Sequence, residues 1–224
     1  MPEFEGKFFS IIFLGKQNPQ ILNHDFLIKN EVLPVDEEPF VSLFNQEDSN
    51  PFSDFISTPV LTSIKYGPIS IIVEENRFQI MDLRFENILS SPIISITKKY
   101  FGDILRYTPF VMGGINFNGL IQFENSMDEY QFDTKLGFNR EKIKKIIYTE
   151  DIRLGFLVSY PWKNGLIELN LPKSKERSKP GGINFNYEFQ YNDINTFIGN
   201  IDDLPLIYDE FNNIIDALKI RRET

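Results

Sequence analysis

The groups that carry most enzyme chemistry are nearly missing from this chain of 224 residues: it has no cysteine and one histidine, His24. A lone imidazole with no nucleophile beside it serves more often as a surface or hydrogen-bonded residue than as a general base. Nothing around Asn23-His24-Asp25-Phe26 resembles metal-ligand spacing, and thiolate metal sites are excluded outright. Carboxylates are plentiful at 32, and a glycosidase-type mechanism needs only two of them across a cleft, but no pair stands out by position. No Gly-Gly opens a helix in the way a phosphate cradle requires. The reading is a protein with no catalytic residue, no cofactor and no metal.

What the chain does carry is charge sorted along its length. Between Asn30 and Ile64 there is no Lys or Arg, while Glu31, Asp36, Glu37, Glu38, Glu47, Asp48 and Asp54 are all acidic. Phe40, Phe44, Phe52 and Phe55 are interleaved with them. An acidic segment with spaced aromatics can dock a partner through its rings, or it is a long surface loop whose rings tuck onto the core. The stretch from Arg140 to Lys179 is the opposite, with Lys142, Lys144, Lys145, Lys173, Lys175, Arg177 and Lys179 among its cations. These are candidates for contact with an acidic partner or with phosphates, although a nucleic-acid site normally adds stacking aromatics, and only Tyr160 and Trp162 lie near. Acidic and basic patches on one chain also favour self-association. With a net charge of −9, a protein partner or a second copy is expected ahead of nucleic acid, and a membrane is not expected.

One hexapeptide occurs twice: Gly-Gly-Ile-Asn-Phe-Asn at 113–118 and again at 181–186. Paired glycines could line a groove where backbone approaches a ligand; the plainer reading is two glycine-led turns feeding similar half-buried strands. Trp162, beside Pro161 and before Asn164-Gly165, reads as a hairpin anchor.

The elements that must position these residues follow from periodicity. Lys7 to Gly15 reads as an apolar strand and Ile21 to Ile28 as its possible partner, followed by an irregular connector over 31–56. Val60 to Tyr66, Ile69 to Glu74 and Phe78 to Leu83 form a meander broken at Gly67-Pro68 and Glu75-Asn76. Ser91 caps a helix with Pro92 in its first turn, and Ile93, Ile96, Tyr100, Phe101, Ile104 and Leu105 share a face before Thr108-Pro109 ends it. Gly113-Gly114 leads into an alternating strand, Ile115 to Phe123, with a bulge expected at Gly119. Residues 125–138 are ambiguous, and 140–147 reads as a short basic helix. Ile152 to Tyr160 and Leu166 to Leu171 flank Asn164-Gly165, a strong hairpin signal. Ile183 to Tyr191 alternates, and a last helix from about Leu204 buries Leu204, Tyr208, Phe211, Ile215 and Leu218. Asp202 and Asp203 stand at its start and Lys219, Arg221 and Arg222 at its end, as the helix dipole favours.

The order strand, connector, three strands, helix therefore occurs twice. The expected architecture is one α+β domain over 1–224, a mostly antiparallel sheet with two principal helices on one face. Its two halves, about 1–107 and 108–224, are expected to be topologically similar. No apolar run reaches the roughly 18 residues a membrane helix needs. Glu3 and Glu5 before Phe8 to Gly15 do not suit a secretory leader. Without cysteine, a cytoplasmic setting is the expectation.

The junction Tyr107-Thr-Pro-Phe-Val-Met-Gly-Gly-Ile-Asn-Phe117 resembles one in a family of uncharacterised bacterial proteins of similar length, where a helix ends at Thr-Pro and a Gly-x-Asn strand follows. A late strand like Ile183 to Phe189 precedes the last helix in that family. The resemblance implies a shared outline and no activity. The function expected is that of a protein-interaction or scaffold subunit. A nucleic-acid accessory protein and a small-molecule module with a pocket between sheet and helices are the alternatives.

Overall fold

Strands form where apolar and polar residues alternate, because a pleated strand sends successive side chains to opposite faces. The computed structural model describes residues 2–33, 52–104, 110–124, 126–138, 142, 155–171, 181–190 and 193–222. Its strands are β1 (Glu3–Gly15), β2 (Phe52–Ser57), β3 (Leu61–Tyr66), β4 (Ile69–Glu74), β5 (Arg77–Asp82), β6 (Phe110–Gln122), β7 (Phe156–Trp162), β8 (Gly165–Leu171) and β9 (Gly181–Gln190). They form one sheet in the order β2-β3-β4-β5-β1-β6-β9-β8-β7, antiparallel at every step. A two-residue β10 (Arg221–Arg222) runs parallel to the start of β1. The fold is α+β.

Exchanging β1 with β6, β5 with β9, β4 with β8 and β3 with β7 leaves this order unchanged. The two halves are thus topologically alike and meet at the central β1–β6 pair; among the described strands, β2 and the two-residue β10 have no counterpart. The expected boundary near 107–108 lies outside the described residues.

The helices are α1 (His24–Lys29), α2 (Pro92–Lys99) with a wider π-spaced turn at Tyr100–Ile104, α3 (Ser126–Lys135), α4 (Ile194–Asp202) and α5 (Leu204–Ala217). The principal ones meet the sheet through a single face. Phe13 of β1 stacks on Phe101 with centroids 3.7 Å apart and lies 4.1 Å from Phe197 of α4. Phe211 of α5 touches Phe4, Phe117 and Phe185. The phenylalanines on this face thus interlock as core rather than line a chamber, each fully buried ring contributing about 1.5–3 kcal/mol. A cleft of about 180 Å³ lies instead at the surface between α3 and the end of α5, against Phe132, Leu136 and Leu218.

Several expectations are corrected. Ile21 to Ile28 is not a strand: the Asn23 carboxamide accepts the Phe26 amide at 2.8 Å and starts α1, after Asn18 has capped a short 3-10 turn. The connector does not stay irregular to residue 56, since β2 begins at Phe52 and pairs with β3. More helices are present than the two principal ones, the ambiguous region forming α3 over Ser126–Lys135. Gly113-Gly114 lies within β6 rather than ahead of it. The bulge falls on β1, where Lys7 is the extra residue between the pairs Gly6–Gly119 and Phe8–Asn118. Gly119 is needed for closeness instead, because a Cβ there would lie 2.2 Å from the Phe4 ring.

The hairpin loop is Lys163-Asn164, with Trp162 opposite Gly165. Lys163 takes the left-handed conformation (φ 50°). Gly165 is required by contact, as its Cβ would meet the Glu188 carbonyl at 2.4 Å. Ser91 does stand at the start of α2, but its hydroxyl donates to Asp82 Oδ2 at 2.7 Å rather than capping the helix. Arg221 and Arg222 leave the helix end to join β10.

Candidate functional site

The two copies of Gly-Gly-Ile-Asn-Phe-Asn pair with each other. In the β6–β9 ladder Asn116 faces Asn186, Phe117 faces Phe185, and Asn118 faces Asn184. Alternation sends Ile115, Phe117, Ile183 and Phe185 to the helix-covered face, where all are buried. It sends Gly114, Asn116 and Asn118 of one copy, and Gly182, Asn184 and Asn186 of the other, to the opposite face. Antiparallel pairing of two identical segments creates a local two-fold: four carboxamides in a two-by-two block, with a glycine at each of two opposite corners. A Cβ at Gly114 would sit 3.2 Å from Asn186 Oδ1 and 3.8 Å from Asn116 Nδ2, so both side-chain tips lean over the bare backbone.

Neighbouring strands extend the block along the ladder. One row runs Ser10, Asn116, Asn186, Glu168, Ser159; the next runs Ile12, Gly114, Glu188, Leu166, Pro161; the third runs Phe8, Asn118, Asn184, Asn170, Leu157. The open-face positions of β6, β8 and β9 hold no Lys or Arg. Ser10 is buried at 1% exposure, and neither its Oγ nor the buried Asn116 Nδ2 makes a hydrogen bond. A desolvated polar group left unpaired costs about 1–3 kcal/mol. At the far edge Leu157 is 62% exposed and Leu166 39%.

A second polar cluster fastens the β7–β8 hairpin to the helices. The Tyr187 hydroxyl donates to Asn164 Oδ1 at 2.7 Å and lies 3.3 Å from Asn200 Oδ1. Burial, then the nearby Asp203 carboxylate, push that phenol up to about 12. Lys163 pairs with Asp203 at 2.9 Å and lies over the Trp162 ring, which meets Tyr187 edge-on. Trp162 is the hairpin anchor expected of it. Tyr160 donates to Glu210 of α5 at 2.7 Å, and burial followed by that carboxylate raises its phenol. The Tyr187, Lys163 and Tyr160 contacts hold the hairpin to the helices.

The charged candidates fare differently. Phe52 and Phe55 lie on β2, and Phe55 is 45% exposed at the end of the sheet. Lys142 is exposed. Phe40, Phe44, Lys144, Lys145, Lys173, Lys175, Arg177 and Lys179 fall outside the described residues, as does the expected 140–147 helix apart from Lys142. The carboxamide block was not among the expected sites. Its signal was present in the hexapeptide repeat, but no local feature tells that the copies pair. Among the described residues no group of three or more His, Cys, Asp or Glu could hold a metal ion. None of their helices is long and apolar enough to cross a membrane. No protein-family model matches this chain, and no curated protein is similar to it.

Proposed function

We propose that this chain is a non-enzymatic interaction or scaffold subunit of a cytoplasmic assembly, working through the face of its sheet opposite the helices. One observation carries the reading: the principal helices crowd one face, while the other presents carboxamides ringed by half-buried Phe8, Ile12 and Leu120 and by exposed Leu157 and Leu166. A mixed apolar and amide surface of this kind suits a protein partner. The test is affinity capture from a native lysate, with light scattering after size-exclusion chromatography at low and high salt. Leu157→Lys with Leu166→Lys is expected to cut capture or self-association at least tenfold while leaving the melting temperature unchanged. A protein that captures nothing and stays monomeric overturns the reading.

The nucleic-acid reading keeps one supporting observation. Phe156 and Leu171 are direct ladder partners. In sequence, Lys144 and Lys145 precede the first of these residues and Lys173 to Lys179 follow the second. Reversing four of these charges would abolish salt-sensitive binding of nucleic acid if that reading holds.

A further inference from the structure

Resting on the interaction reading, we infer that the carboxamide block is a docking platform for an extended polypeptide segment carrying Lys or Arg among aliphatic residues. Three features of the face select that chemistry. A carboxamide carries a donor and an acceptor, as a peptide group does, so Asn118, Asn184 and Asn186 complement a main chain laid across the strands, while the Asn116 Nδ2 is buried beneath them. Glu168 and Glu188 flank the block; β6, β8 and β9 place no cation at their open-face positions, and Lys7 on the neighbouring β1 is paired with Glu5, so a ligand meets two carboxylates there. Charge complementarity at these two carboxylates therefore favours ammonium or guanidinium groups over phosphates and acidic segments.

The rim decides between a polypeptide and a hydroxyl-rich saccharide. Leu157 and Leu166 are exposed at the β7–β8 side, and branched aliphatic groups pack against side chains, whereas flat sugar faces call for aromatic rings. At the inner corner the fold leaves two polar groups unused, Ser10 Oγ at 1% exposure and Asn116 Nδ2, adjacent across the β1–β6 ladder. Gly114 keeps that corner low: any side chain there would press on the Asn186 amide.

The experiment is selection of a phage-displayed random dodecapeptide library on the folded full chain, followed by titration of the enriched peptides. The expected result is enrichment of Lys or Arg with aliphatic residues, and a loss of at least tenfold in affinity for Glu168→Gln with Glu188→Gln. Affinity should also fall with salt and for Gly114→Ala, while thermal melting of the Gln variant stays unchanged. Peptides without basic residues, affinity indifferent to both variants, no enrichment at all, or binding to a glycan array in place of peptides would each overturn the inference. The broader reading fails separately: it falls if the lysate capture and light scattering are both blank, and survives if capture depends on Leu157 and Leu166 while the Gln variants do not matter.

Discussion

Glycine does different work at different positions of this chain, and the distance to the nearest neighbour decides which. At Gly119 a Cβ would lie 2.2 Å from the Phe4 ring and 2.5 Å from the Glu5 carbonyl, so the two central strands meet only because no side chain intervenes. Gly199 in α4 has nothing within 4 Å of that point. Gly119→Ala should therefore destabilise by about 2–3 kcal/mol through overpacking. Gly199→Ala should stabilise by about 0.5–1 kcal/mol by removing backbone entropy from the unfolded chain. Urea midpoints of the two variants check the opposite signs. Tyr187 gives a pH dependence. Its phenol is held protonated to about 12 in the folded protein, against about 10 in an unfolded chain. The folded state keeps this contribution fully below about pH 10 and loses it as pH rises from about 10 to 12. Tyr187→Phe should flatten that part of the stability curve, measured as urea midpoint against pH; an unchanged slope would mean the phenol ionises normally.

At the scale of elements, the junction of β5 and α2 hangs on one buried carboxylate. Asp82, 2% exposed, accepts from Ser91 Oγ at 2.7 Å, Arg84 Nη2 at 3.0 Å, and Arg84 Nε and backbone N–H at 3.2 Å each. Four donors on one carboxylate fix the turn out of the meander and the direction in which α2 starts. Asp82→Ala strands the Ser91 hydroxyl and the guanidinium together, with an expected cost of about 2–3 kcal/mol. Amide hydrogen exchange should show protection lost first in α2 rather than in α5; uniform loss would count against Asp82 as the local tie. The element pattern was largely readable in advance: the meander, the start of α2, the β7–β8 hairpin and the last helix all show in apolar spacing. Ile21 to Ile28 misled because its apolar residues suit either period, and the Asn23 cap decided for helix. The bulge was misplaced from Gly119 to its partner strand because a glycine that permits close approach reads the same as one that permits a kink.

For the whole molecule, the β1–β6 ladder and the rings above it tie the halves together. Phe13 of the first half packs on Phe197 of the second, and Phe4 and Phe85 of the first pack on Phe211 of the second. Neither half can expose its central strand without opening the other's core. Unfolding should be a single cooperative transition, with far-ultraviolet circular dichroism coinciding with fluorescence of Trp162, which reports the outer hairpin of the second half. Two separated transitions would show that the halves are independent domains sharing only a sheet edge.

What the sequence by itself determined is local: which stretches alternate, which have helical spacing, where charge concentrates, and that two halves follow the same order of elements. These properties depend on residues a few positions apart, and backbone geometry converts them directly into strand or helix. The tertiary structure alone decided the partners. That residues 113–118 would lie against 181–186, turning a repeated hexapeptide into a two-fold block of asparagines, depends on a register set by the core on the other side. Phe117 and Phe185 must both face Phe211, and a one-residue slip would bury the asparagines in their place.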